Sequence, residues 1–208
     1  MQRLRITYSK GNELMFTGNL DMQKVWERTF RRADLELAYS QGFHPQPRMH
    51  QACPLPLGFT SENELVDFWL NSDESITEVL RKLKSALQPG ITILDLRPVS
   101  MERKALQTLV TAAKYRVFFD EEVDLDGIEA LLTNLKNKKN CIRTRRGKEY
   151  DLLPLIQDIV FVNEKPAYLD VTLSAVAGAT GRPEEVLDEL GFDFTETSII
   201  RTGLILSE

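Results

Sequence analysis

Cysteine is scarce in this sequence: Cys53 and Cys141 are the only two among 208 residues, far apart and without a C-x-x-C spacing. That argues against a disulfide framework, a thiolate zinc site and an iron–sulfur cluster held by this chain alone. Histidine is as rare, with only His44 and His50, so a metal site would have to lean on carboxylates and none is expected. Long apolar runs are missing too. Ile156 to Val162 is interrupted and far short of the roughly 20 residues that span a bilayer, and the opening MQRLRITYSK has no apolar signal region. No membrane association is expected, and the reading is of a cytoplasmic protein.

The chain also lacks a global excess of positive charge. Its net charge of −5 disfavours a protein that coats itself in nucleic acid, but the average hides an asymmetry. Residues 1–60 carry eight Lys/Arg against five Asp/Glu, and the remaining 148 carry eighteen against twenty-six. Any contact with a polyanion should therefore be local.

Regular patterns fill the rest. In RLRITY, residues 3–8, Leu4, Ile6 and Tyr8 alternate with Arg3, Arg5 and Thr7, the period of a half-buried strand. A helix is expected from Leu20 to Ala33, with Asn19 as N-cap and Met22, Val25, Trp26 and Phe30 at helical spacing. Arg48 to Cys53, Glu64 to Leu70 and Ile91 to Leu96 read as strands. Ser75-Ile-Thr-Glu78 reads as a capping box opening a helix that Pro89-Gly90 ends. The order is β-α-β-β-α-β. Residues 113–206 nearly repeat it, with strands at 113–120, 140–147, 167–175 and 198–206, helices around Leu125–Leu135 and Pro183–Leu190, and an extra segment at 152–162. The expected fold is α+β: two tandem ferredoxin-like (βαββαβ) units with antiparallel sheets, spanning 1–99 and 113–208.

Three stretches could carry chemistry. Residues 39–58 hold both histidines and Pro45, Pro47, Pro54 and Pro56 between Gly42 and Gly58, a stiff frame. That frame could turn His44, Arg48 and His50 toward one cleft. Equally, Phe43, Met49, Leu55 and Leu57 could merely anchor a connection, and His50 reads better as structural. Lys24, Arg28, Arg31 and Arg32 share one face of the first helix; they suit a phosphate-binding surface or an ordinary solvated face. Lys136 to Lys148, KNKKNCIRTRRGK, has seven basic residues and no acidic one, so Lys138, Lys139, Arg143, Arg145, Arg146 and Lys148 form a candidate polyanion patch on a hairpin. It lacks interleaved aromatics for stacking on bases. Gly178-Ala-Thr-Gly181 before Pro183 matches neither the P-loop nor the dinucleotide fingerprint.

The segments RLRITYSKGNELMFTGNLDM and LAYSQGFHPQPRMHQACPLPLGFTSENELVDF resemble the start of the radical-SAM-linked protein family of bacteria. RRGKEYDLLPLI and GRPEEVLDELG are similar to its later, looser motifs. Members occur alone or as C-terminal extensions of B12-binding radical SAM enzymes. The residues shared with the family are Ser9, Lys10, Phe16, Leu20 and Asp21, then Tyr39, Ser40, Gly42, Phe43, His44, Pro45, Pro47, Pro54, Leu55 and Gly58. The chain departs from the pattern at Asn19, commonly histidine, and near Leu153, commonly arginine.

The resemblance implies a radical SAM partner that would supply S-adenosylmethionine and an iron–sulfur cluster, with no cofactor in this chain. The expected function is that of an accessory protein presenting a substrate, RNA, to that partner, with Lys10, Lys24, Arg28, Arg31 and Arg48 added to the hairpin cations as phosphate ligands. A rival expectation, supported by analogy with CRISPR repeat-processing endoribonucleases, is a metal-independent ribonuclease using His44 with Tyr39. A third is a docking module with Phe43 or Phe59 at its interface.

Overall fold

The computed structural model describes residues 1–120 and 123–207. The chain divides into two compact units, Met1–Val110 and Thr111–Ser207, each built from antiparallel strands with few helices. Among the described residues no helix is long and apolar enough to cross a membrane.

The first unit runs β1 (Gln2–Lys10), α1 (Asn19–Arg32), β2 (Met49–Gln51), β3 (Thr60–Leu70), α2 (Ile76–Ala86), β4 (Ile91–Val99) and the one-turn α3 (Leu106–Leu109). β1 is central: it pairs with β3, Leu4 opposite Phe68, and with β4, Ile6 opposite Leu96, while β2 adds to β3 with His50 opposite Asp67. The pleat sends Leu4, Ile6, Tyr8, Val66, Phe68 and Leu70 to the face covered by α1 and α2. Met22, Trp26 and Phe30, four residues apart, form the buried stripe of α1, and Tyr8, Trp26, Phe30 and Phe68 stack in a chain of ring contacts at 4.8, 5.5 and 4.6 Å. Burying each such aromatic contributes roughly 1.5–3 kcal/mol.

Two expected details differ. Gly18 rather than Asn19 caps α1, with Asn19 already helical. Ser75 caps α2, its hydroxyl accepting from the Glu78 amide at 3.3 Å, but the Glu78 carboxylate turns to Arg81 instead of closing a capping box.

The larger correction concerns the second face of β1. Alternation predicts Arg3 and Arg5 on an open side, yet they are 2% and 1% exposed. The residues leading into α3 meet Arg3: the carbonyls of Arg103 and Lys104 accept from its guanidinium at 2.5 and 3.0 Å.

The second unit comprises β5 (Val110–Phe119), α4 (Ile128–Asn137), β6 (Ile142–Arg145), β7 (Lys148–Asp151), β8 (Ile156–Val162), β9 (Tyr168–Val176), β10 (Ala179–Thr180), α5 (Pro183–Leu190) and β11 (Thr197–Leu206). β9 pairs antiparallel with β5, Tyr115 opposite Val171, and also with β8 and the short β10; β11 lies on the other side of β5. α5 starts with Pro183 and ends at Gly191 in the left-handed region, φ 86°, as a Pro-first, Gly-last helix should. Gly181 is needed for close packing, because a Cβ there would lie 3.1 Å from the Leu173 side chain and 3.2 Å from the Leu155 carbonyl.

The stretch 140–147 does not join this sheet. It forms a separate two-stranded hairpin, β6 with β7, turning through Arg146 and Gly147 at φ 52° and 76°. IRTR and KEYD alternate without an apolar side to bury, whereas IQDIVFV of β8 places Ile159 in the core. The supposed extra segment is thus the sheet strand, and the second unit departs from a plain six-element order.

Candidate functional site

The segment after α1 folds back as a braced loop. Ala38 donates to the Trp69 carbonyl and Arg48 to the Ala38 carbonyl, both at 2.8 Å. Tyr39 bridges to Pro47, Ser40 donates to the Gln46 carbonyl at 2.8 Å, and the Gln46 amide returns a bond to the Ser40 hydroxyl at 3.0 Å. Gly42 takes φ 131°, a conformation other residues reach only under strain. Pro47 is buried, while Gln41 to Gln46 form an exposed tip with Phe43 fully in water and Tyr39 43% exposed. Holding two aromatic rings in solvent on a stiff frame has a hydrophobic cost that packing alone does not explain.

Beside the loop opens a cleft of about 500 Å3, lined by Met1, Ala38, Tyr39, Ser40, Gln41, Pro45, Arg48 and Asn71. Arg48 is half-buried, its guanidinium 4.9 Å from the Trp69 ring centroid and 3.7 Å from the Met1 sulfur. The structure therefore brings Tyr39, Ser40, Pro45 and Arg48 together. His44, at the tip, does not line the cleft. Phe59, expected as an alternative docking residue, is buried.

Behind Arg48 lies a charge cluster the sequence reading missed. Asp67 accepts from Arg3 at 2.6 and 2.9 Å and from Arg5 at 2.7 and 3.0 Å, all three side chains being buried. Arg3 also sits 4.9 Å from the Trp69 centroid, and His50 meets that ring edge-on at 5.0 Å. Burial, then the nearby Arg3 charge, holds the His50 pKa below its ordinary 6.5, against the opposing pull of Asp67. One local signal was available: an aspartate in the middle of ELVDFWL, an otherwise apolar strand.

The other expected phosphate ligands divide. Lys10 is a correction: 2% exposed, its ammonium donates to the Thr17 carbonyl at 3.0 Å and is no surface cation. Lys24 is exposed and 3.7 Å from Asp21; Arg28 and Arg31 are exposed; Arg32 instead donates to the Ala86 carbonyl. The basic hairpin folds onto the acidic side of α5, where Lys138 pairs with Glu189, Arg143 with Asp188 and Glu189, and Arg145 with Glu185. Hydrogen bonds from Cys141 and Lys138 keep the Glu189 carboxyl low, while burial and Glu189 push the Cys141 thiol up to about 11. Lys139, Arg146 and Lys148 remain exposed. Among the described residues no cluster of His, Cys, Asp and Glu could hold a metal ion.

The chain belongs to the bacterial family described as "Uncharacterized protein conserved in bacteria (DUF2344)", whose model matches residues 3–183. No functionally curated protein matches the sequence. Among solved structures, a chain of a Cbf5-Nop10-Gar1 complex is similar at 9% identity and TM-score 0.49; the match covers 99% of this chain but only 48% of that one, so this chain spans about half its length. The acetolactate synthase small subunit from Thermotoga maritima is similar at 12% identity over 99% of this chain and 96% of that one, TM-score 0.25. A putative glycine cleavage system transcriptional repressor is similar at 13% identity over 91% and 88%, TM-score 0.27. At such identities and scores these likenesses say nothing about activity.

Proposed function

We propose that this member of the family is an accessory protein that binds RNA and presents it to a radical SAM enzyme. The observation that carries the RNA part is the braced loop, which displays Phe43 and Tyr39 to solvent next to a cleft containing Arg48. Aromatic faces with an adjacent guanidinium are how unpaired bases and their phosphates are held. The radical SAM partner rests on the sequence resemblance alone; it would bring S-adenosylmethionine and the cluster. In this reading both units are ferredoxin-like, the second interrupted by the β6–β7 hairpin, and the loop replaces the hairpin as the main RNA contact because Lys138, Arg143 and Arg145 are already paired with α5.

The test is co-purification of the full chain with a co-expressed B12-binding radical SAM enzyme, followed by sequencing of retained RNA. Retention of RNA that is lost in Phe43→Ser with Tyr39→Ser supports the proposal; a stable protein complex without RNA makes the chain a docking module instead. RNA cleavage in EDTA that disappears in His44→Ala would move the function to a ribonuclease.

A further inference from the structure

The cations around Trp69 are out of balance. Arg3 and Arg48 lie against the ring, Arg5 joins Arg3 through Asp67, and Asp67 is the one carboxylate paired to any of the three among the described residues. That leaves an excess of two positive charges in a half-buried setting, where unbalanced charge is costly unless an anion arrives. The excess is not shared evenly. Arg3 and Arg5 spend their donors on Asp67 and on the carbonyls of Arg103 and Lys104. Arg48 has the Trp69 ring and the weak Met1 sulfur acceptor, and it is the one of the three that lines the cleft.

We infer that this cleft is a mononucleotide pocket, with the phosphate on Arg48 and the base against Tyr39. The inference rests on the RNA reading above and deepens it by locating the subsite. Arg48 offers a planar fork suited to two phosphate oxygens, and the Trp69 ring behind it fixes its orientation. The Ser40 hydroxyl already accepts from Gln46, so its own proton is available for donation. Asn71 donates its amide to the Leu37 carbonyl at 3.4 Å, leaving its side-chain oxygen to accept from a base edge. Tyr39 supplies a half-exposed ring, and about 500 Å3 is within the range of small-molecule pockets.

The experiment is calorimetric or NMR titration of the full chain with inorganic phosphate, a nucleoside monophosphate and the corresponding nucleoside, alongside single-stranded RNA. Arg48→Gln should weaken the monophosphate and phosphate about tenfold, the scale of a lost charge-assisted pair. Tyr39→Ala should weaken the monophosphate while leaving inorganic phosphate unchanged. Arg48→Lys, with an unaltered melting curve, should restore part of the affinity and so separate charge loss from misfolding. Absence of monophosphate binding, or binding untouched by Arg48→Gln, overturns the pocket. RNA binding that survives Arg48→Gln also overturns it while leaving the RNA proposal standing; monophosphate binding without any RNA binding supports the pocket and overturns the RNA proposal.

Discussion

Asp67 holds two buried guanidinium groups at once, and that makes the first unit sensitive to its loss. Asp67→Asn keeps the volume but leaves two buried cations without a counter-charge, so a loss of about 3–5 kcal/mol is expected from urea unfolding. Replacing Arg3, Arg5 and Asp67 together by apolar residues should recover much of it, because an absent ion pair costs less than a broken one. His50 gives a pH dependence whose sign is fixed. Its folded pKa lies below 6.5, so between that value and 6.5 the unfolded chain binds more protons than the folded one. Stability therefore rises with pH across that window, is fully present above 6.5, and has lost this group's contribution once the pH falls through the folded pKa. The denaturation midpoint should drop as the pH is lowered from about 7 through 6.5, and less so in His50→Gln. The Asp67 cluster escaped the sequence reading because alternation says which residues share a face but not whether something covers it, and the cover over Arg3 is made by residues a hundred positions away.

Among the elements, α1, α2, β3 and β4 were legible because each carries its own period or cap, and α5 because Pro183 and Gly191 mark both ends. The strands at 140–147 and within 152–162 were both legible, but not that β6 stays out of the main sheet, because a strand-like stretch joins a sheet only if it has a face to bury, and β6 has none to offer. The β6–β7 hairpin is instead held to α5 largely by ion pairs, which are individually weak and sensitive to salt. Arg145→Ala, which also removes the bonds to the Thr180 carbonyl and the Tyr150 hydroxyl, should lower overall stability by about 1–3 kcal/mol and speed amide exchange through Ile142–Asp151. Cys141, 6% exposed with its thiol pushed to about 11, should resist alkylation at neutral pH, and peptide mass spectrometry should show faster modification in Arg145→Ala or in high salt. The family loop was legible as a unit from its prolines and glycines, but only the backbone showed that Arg48 belongs to the cleft and His44 does not.

For the whole molecule, a net charge of −5 and the pairing of Lys138, Arg143 and Arg145 leave the expected phosphate ligands as small groups of exposed cations, Lys24, Arg28 and Arg31 on α1 and Lys139, Arg146 and Lys148 at the hairpin. RNA affinity should accordingly show a shallow salt dependence, a log–log slope smaller in magnitude than about 3, equivalent to a handful of phosphates; a steep slope would restore the hairpin as the contact surface. Phe43→Ser removes a side chain that touches solvent all round, so the melting temperature should stay put while RNA retention falls. The tie between the Arg3 guanidinium and the carbonyls of Arg103 and Lys104 also sets an order of events during synthesis. β1 is made before β3 and β4 but lies between them, and its buried charge is not fully satisfied until residue 104 has emerged. The first unit must therefore close late, around its oldest segment, and nascent chains released before that point should remain open to proteases.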